Sequence, residues 1–283
     1  TCVIVLLDRI SSRFDPEFFR PHQLIEVEQM GIAEFAEMNE KYTVFELSNA
    51  LKPYVAAHLM QEYPEATVVL QLDSDMLVFN RFDYIENILQ EQSIAITPHI
   101  LTPVPEDGFH PTESNFVSSG TYNAGFVAMS TDQTAKRFVN WWKAMLTDRC
   151  YVKPRKGLFV DQIWLNLVPV FFEKVHILKH YGYNVAAHNL HERQVGFRDN
   201  AYWINNDEKL VVYHYTGFDY REPSVLSKYQ SRSSFENRPD LKPIFDVWVQ
   251  RLEANRIEHF SKMKYLLAPS KTLWQRLFER KRR

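Results

Sequence analysis

Two carboxylates stand one residue apart where an apolar run ends: residues 66–72 read ATVVLQL and stop at Asp73-Ser74-Asp75. The run is rich in β-branched residues and follows Pro64, which predicts a buried strand with acids at its carboxyl end. The chain leaves the pleat there, so both side chains can turn toward one hard cation. Two carboxylates that leave coordination positions open suit Mg2+ or Mn2+ bridging a diphosphate. Such an ion serves as a Lewis acid toward a leaving nucleoside diphosphate. Taken alone, the triplet fits solvated loop acids equally well.

Three later segments follow it in order, each beside an apolar element: Tyr122-Asn123-Ala124-Gly125-Phe126-Val127, Phe159-Val160-Asp161-Gln162 and Val212-Tyr213-His214-Tyr215-Thr216-Gly217. Together with LQLDSDMLV, the set resembles the GT-A-fold transferases of glycosyltransferase family 8, the group containing glycogenin and bacterial lipooligosaccharide galactosyltransferases. The resemblance runs roughly from Val3 to Lys228. It implies that Asp73, Asp75 and His214 ligate Mn2+ or Mg2+, and a neutral imidazole is a suitable third ligand. It implies a donor side built from Lys52, Asp73, Ser74, Asn123, Gly125, Gly217 and Lys228, with Lys228 on the diphosphate. The spacing of Lys228 from the His-x-x-Gly turn is longer than the family's. Asn123, Asp161 and Gln162 are then expected to hold sugar hydroxyls and face the anomeric carbon. The implied reaction moves a hexose from a nucleotide sugar, a UDP-sugar by resemblance, to a saccharide or lipid-linked acceptor with retention of configuration.

Each residue also has a plainer reading. Asn123 can shape a turn before Gly125, Asp161 can be an acid favoured by a helix N-terminus, and His214 can be a satisfied polar residue on a strand end. Lys52 and Lys228 can be solvated charge. The segment 182–193, GYNVAAHNLHER, is dense in polar groups. It can line the acceptor side through His188, His191, Glu192 and Arg193, with His191 the candidate, or it can be a turn held by a Glu-Arg pair. A haloacid-dehalogenase-type phosphatase also places a DxD after a buried strand. In that group the motif opens the domain and Thr or Val follows one residue beyond the second Asp, whereas here Leu77 holds that slot. A catalytically silent GT-A-like scaffold is the third alternative.

These residues need a frame that gathers strand ends. Cys2 to Leu7 reads as a buried strand ending at Asp8. Thr43 and Glu46 have capping-box spacing for a helix running toward Glu62, which Pro53 should kink or start later. Further strands are expected at residues 93–97, 125–129, 175–178 and 210–214, with helices from Thr131 and over residues 159–172; residues 98–120 read as irregular. Strands alternating with helices predict an α/β fold, a Rossmann-like, mainly parallel sheet covered by helices, with ligands beyond its carboxyl ends. The GT-A resemblance assigns residues 1–230 to the catalytic domain and 231–283 to a C-terminal helical extension. If Val3 to Leu7 is that fold's second strand, its first, base-recognising strand lies outside this numbering.

Composition excludes several classes. In 283 residues, 45% are hydrophobic, 24% are charged and the net charge is −2, which favours no nucleic acid partner. None of the 8 glycines forms GxGxxG or GxxxxGK[ST]. Cys2 and Cys150 form no CxxC pair, so a reducing, cytoplasmic setting is expected. No apolar run reaches the ~20 residues of a membrane span. Residues 271–283 carry a net +5, and Trp274, Leu277 and Phe278 recur at helical spacing. That pattern predicts either peripheral contact with an anionic membrane or a packed terminal helix with a solvated basic end.

Overall fold

The computed structural model describes residues 1–11 and 15–267; the basic segment from Lys271 to Arg283 and its expected membrane contact lie outside them. The strands that frame the site are β1 (Val3–Leu6), β2 (Gln23–Glu26), β3 (Val68–Leu72), β4 (Met76–Val78), β5 (Ile94–Pro98), β6 (Tyr122–Ser130), β7 (Val175–Ile177), β8 (Val185–Ala186) and β9 (Val212–His214). The helices that pack around it include α1 (Val44–Ala50), α2 (Lys52–Glu62), α3 (Glu113–Ser119), α4 (Gln133–Arg149) and α5 (Lys242–Ala254). The protein is thus a mixed α/β fold with several small sheets. No helix among the described residues is long and apolar enough to cross a membrane.

The central sheet runs β3-β6-β5-β7, and every residue of β6 after Tyr122 is buried. Strand β6 is antiparallel to both neighbours, while β5 and β7 are parallel. The expectation of a mainly parallel sheet is corrected here: of three pairings, two are antiparallel. The cause lies in residues 99–121. A parallel neighbour needs a crossover to the far end of the sheet. This segment instead stays at the carboxyl end of β5, so that Pro98 pairs with Tyr122. It is also less irregular than expected, since it contains α3. Strands β3, β5 and β7 still share one direction, and their carboxyl ends gather where β6 begins.

Thr43 and Glu46 form the reciprocal capping box, with Glu46 N donating to Thr43 Oγ1 at 3.2 Å and Thr43 N to Glu46 Oε2 at 3.0 Å. The helix breaks at Leu51 and restarts with Pro53 in its first turn, as the missing proline amide requires. Residues 159–172, expected as one helix, are a short strand, a 3-10 segment Gln162–Leu167 and a short helix Val168–Phe171. Proline and β-branched residues there weaken regular α structure.

The expectation of a buried first strand is also corrected, because all four residues of β1 are only half-buried and among the described residues it pairs with β2 alone, in parallel register. The main core joins α2, α4 and one face of the central sheet around Trp142, which stacks on Phe138 at 5.4 Å. A second core lies beneath β9. There Tyr215 stacks on Trp248 at 4.5 Å and donates its hydroxyl to Ile244 O at 2.8 Å. Residues on either side of the expected boundary at 230 therefore share one core.

Candidate metal centre

Strand β4, absent from the expected elements, is what closes the site. It pairs antiparallel with β9, placing Met76 opposite His214, and Tyr215 N donates to Asp75 O at 2.8 Å. On the other side Asp73 N donates to Gly125 O at 2.9 Å, continuing the β3–β6 ladder past Leu72. The turn between β3 and β4 is consequently pinned at both ends, with exposed Ser74 at its tip.

Ligand atoms of Asp73, Asp75 and His214 lie within 4.8 Å of one another. Asp75 Oδ1 is 3.1 Å from His214 Nε2. Neighbouring donors on one octahedral cation with bonds of about 2.1 Å stand roughly 3 Å apart, so the Asp75–His214 pair has the spacing of adjacent positions on one Mg2+ or Mn2+. Burial works against ionisation of Asp75, but the hydrogen-bonding imidazole of His214 beside it outweighs that and lowers its pKa.

Gly125 makes the close approach possible. A Cβ there would stand 2.8 Å from Asn123 Oδ1, 2.8 Å from Met76 Cε and 2.9 Å from His214 Cε1. Asn123 is buried; its Oδ1 accepts from Gly125 N at 2.7 Å and its Nδ2 lies 3.3 Å from His214 Nδ1.

Lys52 is not solvated charge. Its Nζ reaches Asp73 at 2.7 Å, Asp161 at 2.8 Å and donates to Ala124 O at 3.2 Å. Burial would lower its pKa, but Asp161 and Asp73 overcome that and raise it, keeping the ammonium charged. Asp161 stands at the N-terminus of the 3-10 segment without capping it. Its backbone carbonyl accepts from Trp142 Nε1 at 3.2 Å, which ties it to the main core. Gln162 donates from Nε2 to Ser119 O at 2.9 Å, anchoring the end of α3.

Gly217 holds a positive φ of 74°, and its turn receives Lys228 N on the Gly217 carbonyl at 3.0 Å. Lys228 itself is exposed, with Nζ over the Tyr229 ring at 5.0 Å. In the segment 182–193, Glu192 accepts from Leu101 N at 2.9 Å and pairs with Arg193, and both side chains are almost wholly buried. The Glu-Arg turn is thus formed, and half-buried His191 sits 3.5 Å from Thr102 O.

The sequence comparisons add little to this geometry. No protein-family model matches the chain. It is 25% identical over 196 residues to the uncharacterized protein YfnD of Bacillus subtilis (strain 168), covering 69% of this chain and 60% of that protein. The chain spans less than two thirds of that relative.

Sequence reasoning did not single out Asn184, whose Oδ1 is 3.3 Å from His214 Nδ1. The parallel pairing of β8 with β9 brings it there, and nothing local in the sequence encodes that pairing.

Proposed function

We propose that the protein is a metal-dependent glycosyltransferase with a GT-A architecture like that of glycosyltransferase family 8. On this reading it moves a hexose from a nucleotide sugar, a UDP-sugar by resemblance, to a saccharide or lipid-linked acceptor with retention of configuration. The observation that carries the proposal is the convergence of Asp73, Asp75 and His214 at the carboxyl end of β3. The co-directional β3, β5 and β7, with β6 reversed among them, also support it, because ligands of such sheets bind beyond the carboxyl ends.

Asp73, Asp75 and His214 would hold Mn2+ or Mg2+, which when bound supplies a Lewis acid for a nucleoside diphosphate leaving group. The protein's own part is positioning. Lys52 fixes Asp73 and Asp161 in one ion-paired group, so the carboxylates are oriented before donor arrives. Asn123 offers an amide beside the centre for a sugar hydroxyl. Gly125 leaves the gap in which His214 sits. Lys228, on the turn joined to Gly217, is free to swing toward a diphosphate.

Incubating the protein with a panel of nucleotide sugars and Mn2+ tests the proposal. Release of the nucleoside diphosphate is expected with Mn2+ and not in excess chelator, and NMR coupling constants should show the donor's anomeric configuration in the product. Full turnover in chelator, or an inverted product, contradicts it.

A further inference from the structure

His214 faces two asparagines through the ring nitrogen that points away from Asp75. Asn123 Nδ2 and Asn184 Oδ1 each lie 3.3 Å from His214 Nδ1. A neutral imidazole carries one proton, so it cannot satisfy both at once. If the proton is on Nε2, it points at Asp75 Oδ1, 3.1 Å away, and Nδ1 accepts from Asn123. If the proton is on Nδ1, Nε2 has its lone pair free for a cation and the proton needs an acceptor. Asn123 cannot be that acceptor, because it turns its Nδ2, a donor, toward His214 while its Oδ1 faces Gly125 N at 2.7 Å. The oxygen of Asn184 is the one acceptor in reach among the described residues.

We infer that Asn184 is a positioning residue that selects the metal-binding tautomer of His214, accepting Nδ1–H and leaving Nε2 free. This rests on the metal centre proposed above. A histidine that ligates through one nitrogen ordinarily donates from the other, and losing that partner typically costs 10–100-fold in metal affinity. Asn184 suits the task because its place is fixed by packing: it is wholly buried, and its backbone carbonyl accepts from Asn189 Nδ2 at 3.0 Å. Its backbone φ is 50°, a conformation that asparagine and glycine adopt more readily than other residues. The same tautomer releases the Nδ2–H of Asn123 from His214, making it available to a donor hydroxyl. The two asparagines thus divide the work, one for each tautomer.

The left-handed backbone offers a clean test, because Asn184→Gly removes the side chain without strain and keeps the carbonyl that Asn189 uses. Mn2+ titration by calorimetry should show affinity about 10–100-fold weaker in this variant, and Asn184→Asp, which keeps an oxygen acceptor, should restore most of it. In wild-type protein, 15N spectra of the histidine rings with saturating Mg2+ should show His214 protonated at Nδ1. That measurement stands even if the glycine variant does not fold. Mn2+ affinity unchanged in folded Asn184→Gly overturns the role of Asn184 while leaving the metal centre intact, whereas a proton retained on Nε2 in the Mg2+ complex removes His214 from the ligands and overturns this inference together with that part of the centre. Absence of Mn2+ and Mg2+ binding in wild type overturns the centre itself and this inference with it.

Discussion

Lys52 carries its charge into a place where solvent reaches only 8% of its side chain, and two carboxylates share it. Breaking such a buried group by removing one partner leaves an uncompensated charge and costs about 3–5 kcal/mol. Lys52→Met should therefore lower the urea midpoint by that amount of stability, and adding Asp161→Leu should recover part of it because the two sites are coupled. A solvated lysine would change stability by less than about 0.5 kcal/mol. Gly125 makes a second demand at the same scale. Its missing side chain is the space that His214, Asn123 and Met76 occupy, so Gly125→Ala should push the imidazole away from Asp75. The expected result is at least tenfold weaker Mn2+ binding in calorimetry, with an overpacking cost of about 1–3 kcal/mol in unfolding. Unchanged metal affinity would show that His214 tolerates displacement.

At the level of elements, the site is built by the turn between β3 and β4 and by two registers, β3 on β6 and β4 on β9. The first half was legible: a β-branched run ending in acids announces a strand end, and the Tyr122 to Val127 segment announces a buried neighbour. The second half was not. Strand β4 is three residues long, and so short a run has no periodicity to read. The direction of β6 was equally hidden, because it depends on which end of the sheet residues 99–121 return to. His99, at the carboxyl end of β5, shows how that return changes chemistry. It is buried, stacked on Phe116 at 5.3 Å and edge-on to His188 at 5.1 Å, and burial lowers its pKa from 6.5 to about 4. The folded state then binds fewer protons than the unfolded chain between those values, so stability present above pH 6.5 is lost as pH falls toward 4. The full loss is on the order of 3 kcal/mol. Urea midpoints of wild type should drop between pH 7 and pH 5 more steeply than those of His99→Phe, which keeps the ring and removes the proton site. Equal slopes would mean that His99 is charged in the folded protein.

For the whole molecule, the second core matters as much as the central sheet. Strand β9 presents His214 on one side while Tyr213 and Tyr215 bury against α5 and Trp248, so the helix that follows residue 239 braces the strand that carries His214. The Asp73-Ser74-Asp75 turn and the Val212 to Gly217 segment could each be read from the sequence as a strand end carrying polar groups. That α5 shares a core with the site was not, since aromatic residues on a terminal helix can equally pack anywhere apolar. The proposed function depends on one convergence, Asp73 and Asp75 on one turn with His214 brought to them from a distant part of the chain. Its most direct measurement is Mn2+ binding by calorimetry to wild type and to Asp75→Asn, paired with the melting temperature of each without metal. The prediction is one ion bound per wild-type chain, loss of that binding in Asp75→Asn, and metal-free melting temperatures within a degree or two. Equal Mn2+ binding by the two proteins, or none by either, would contradict it.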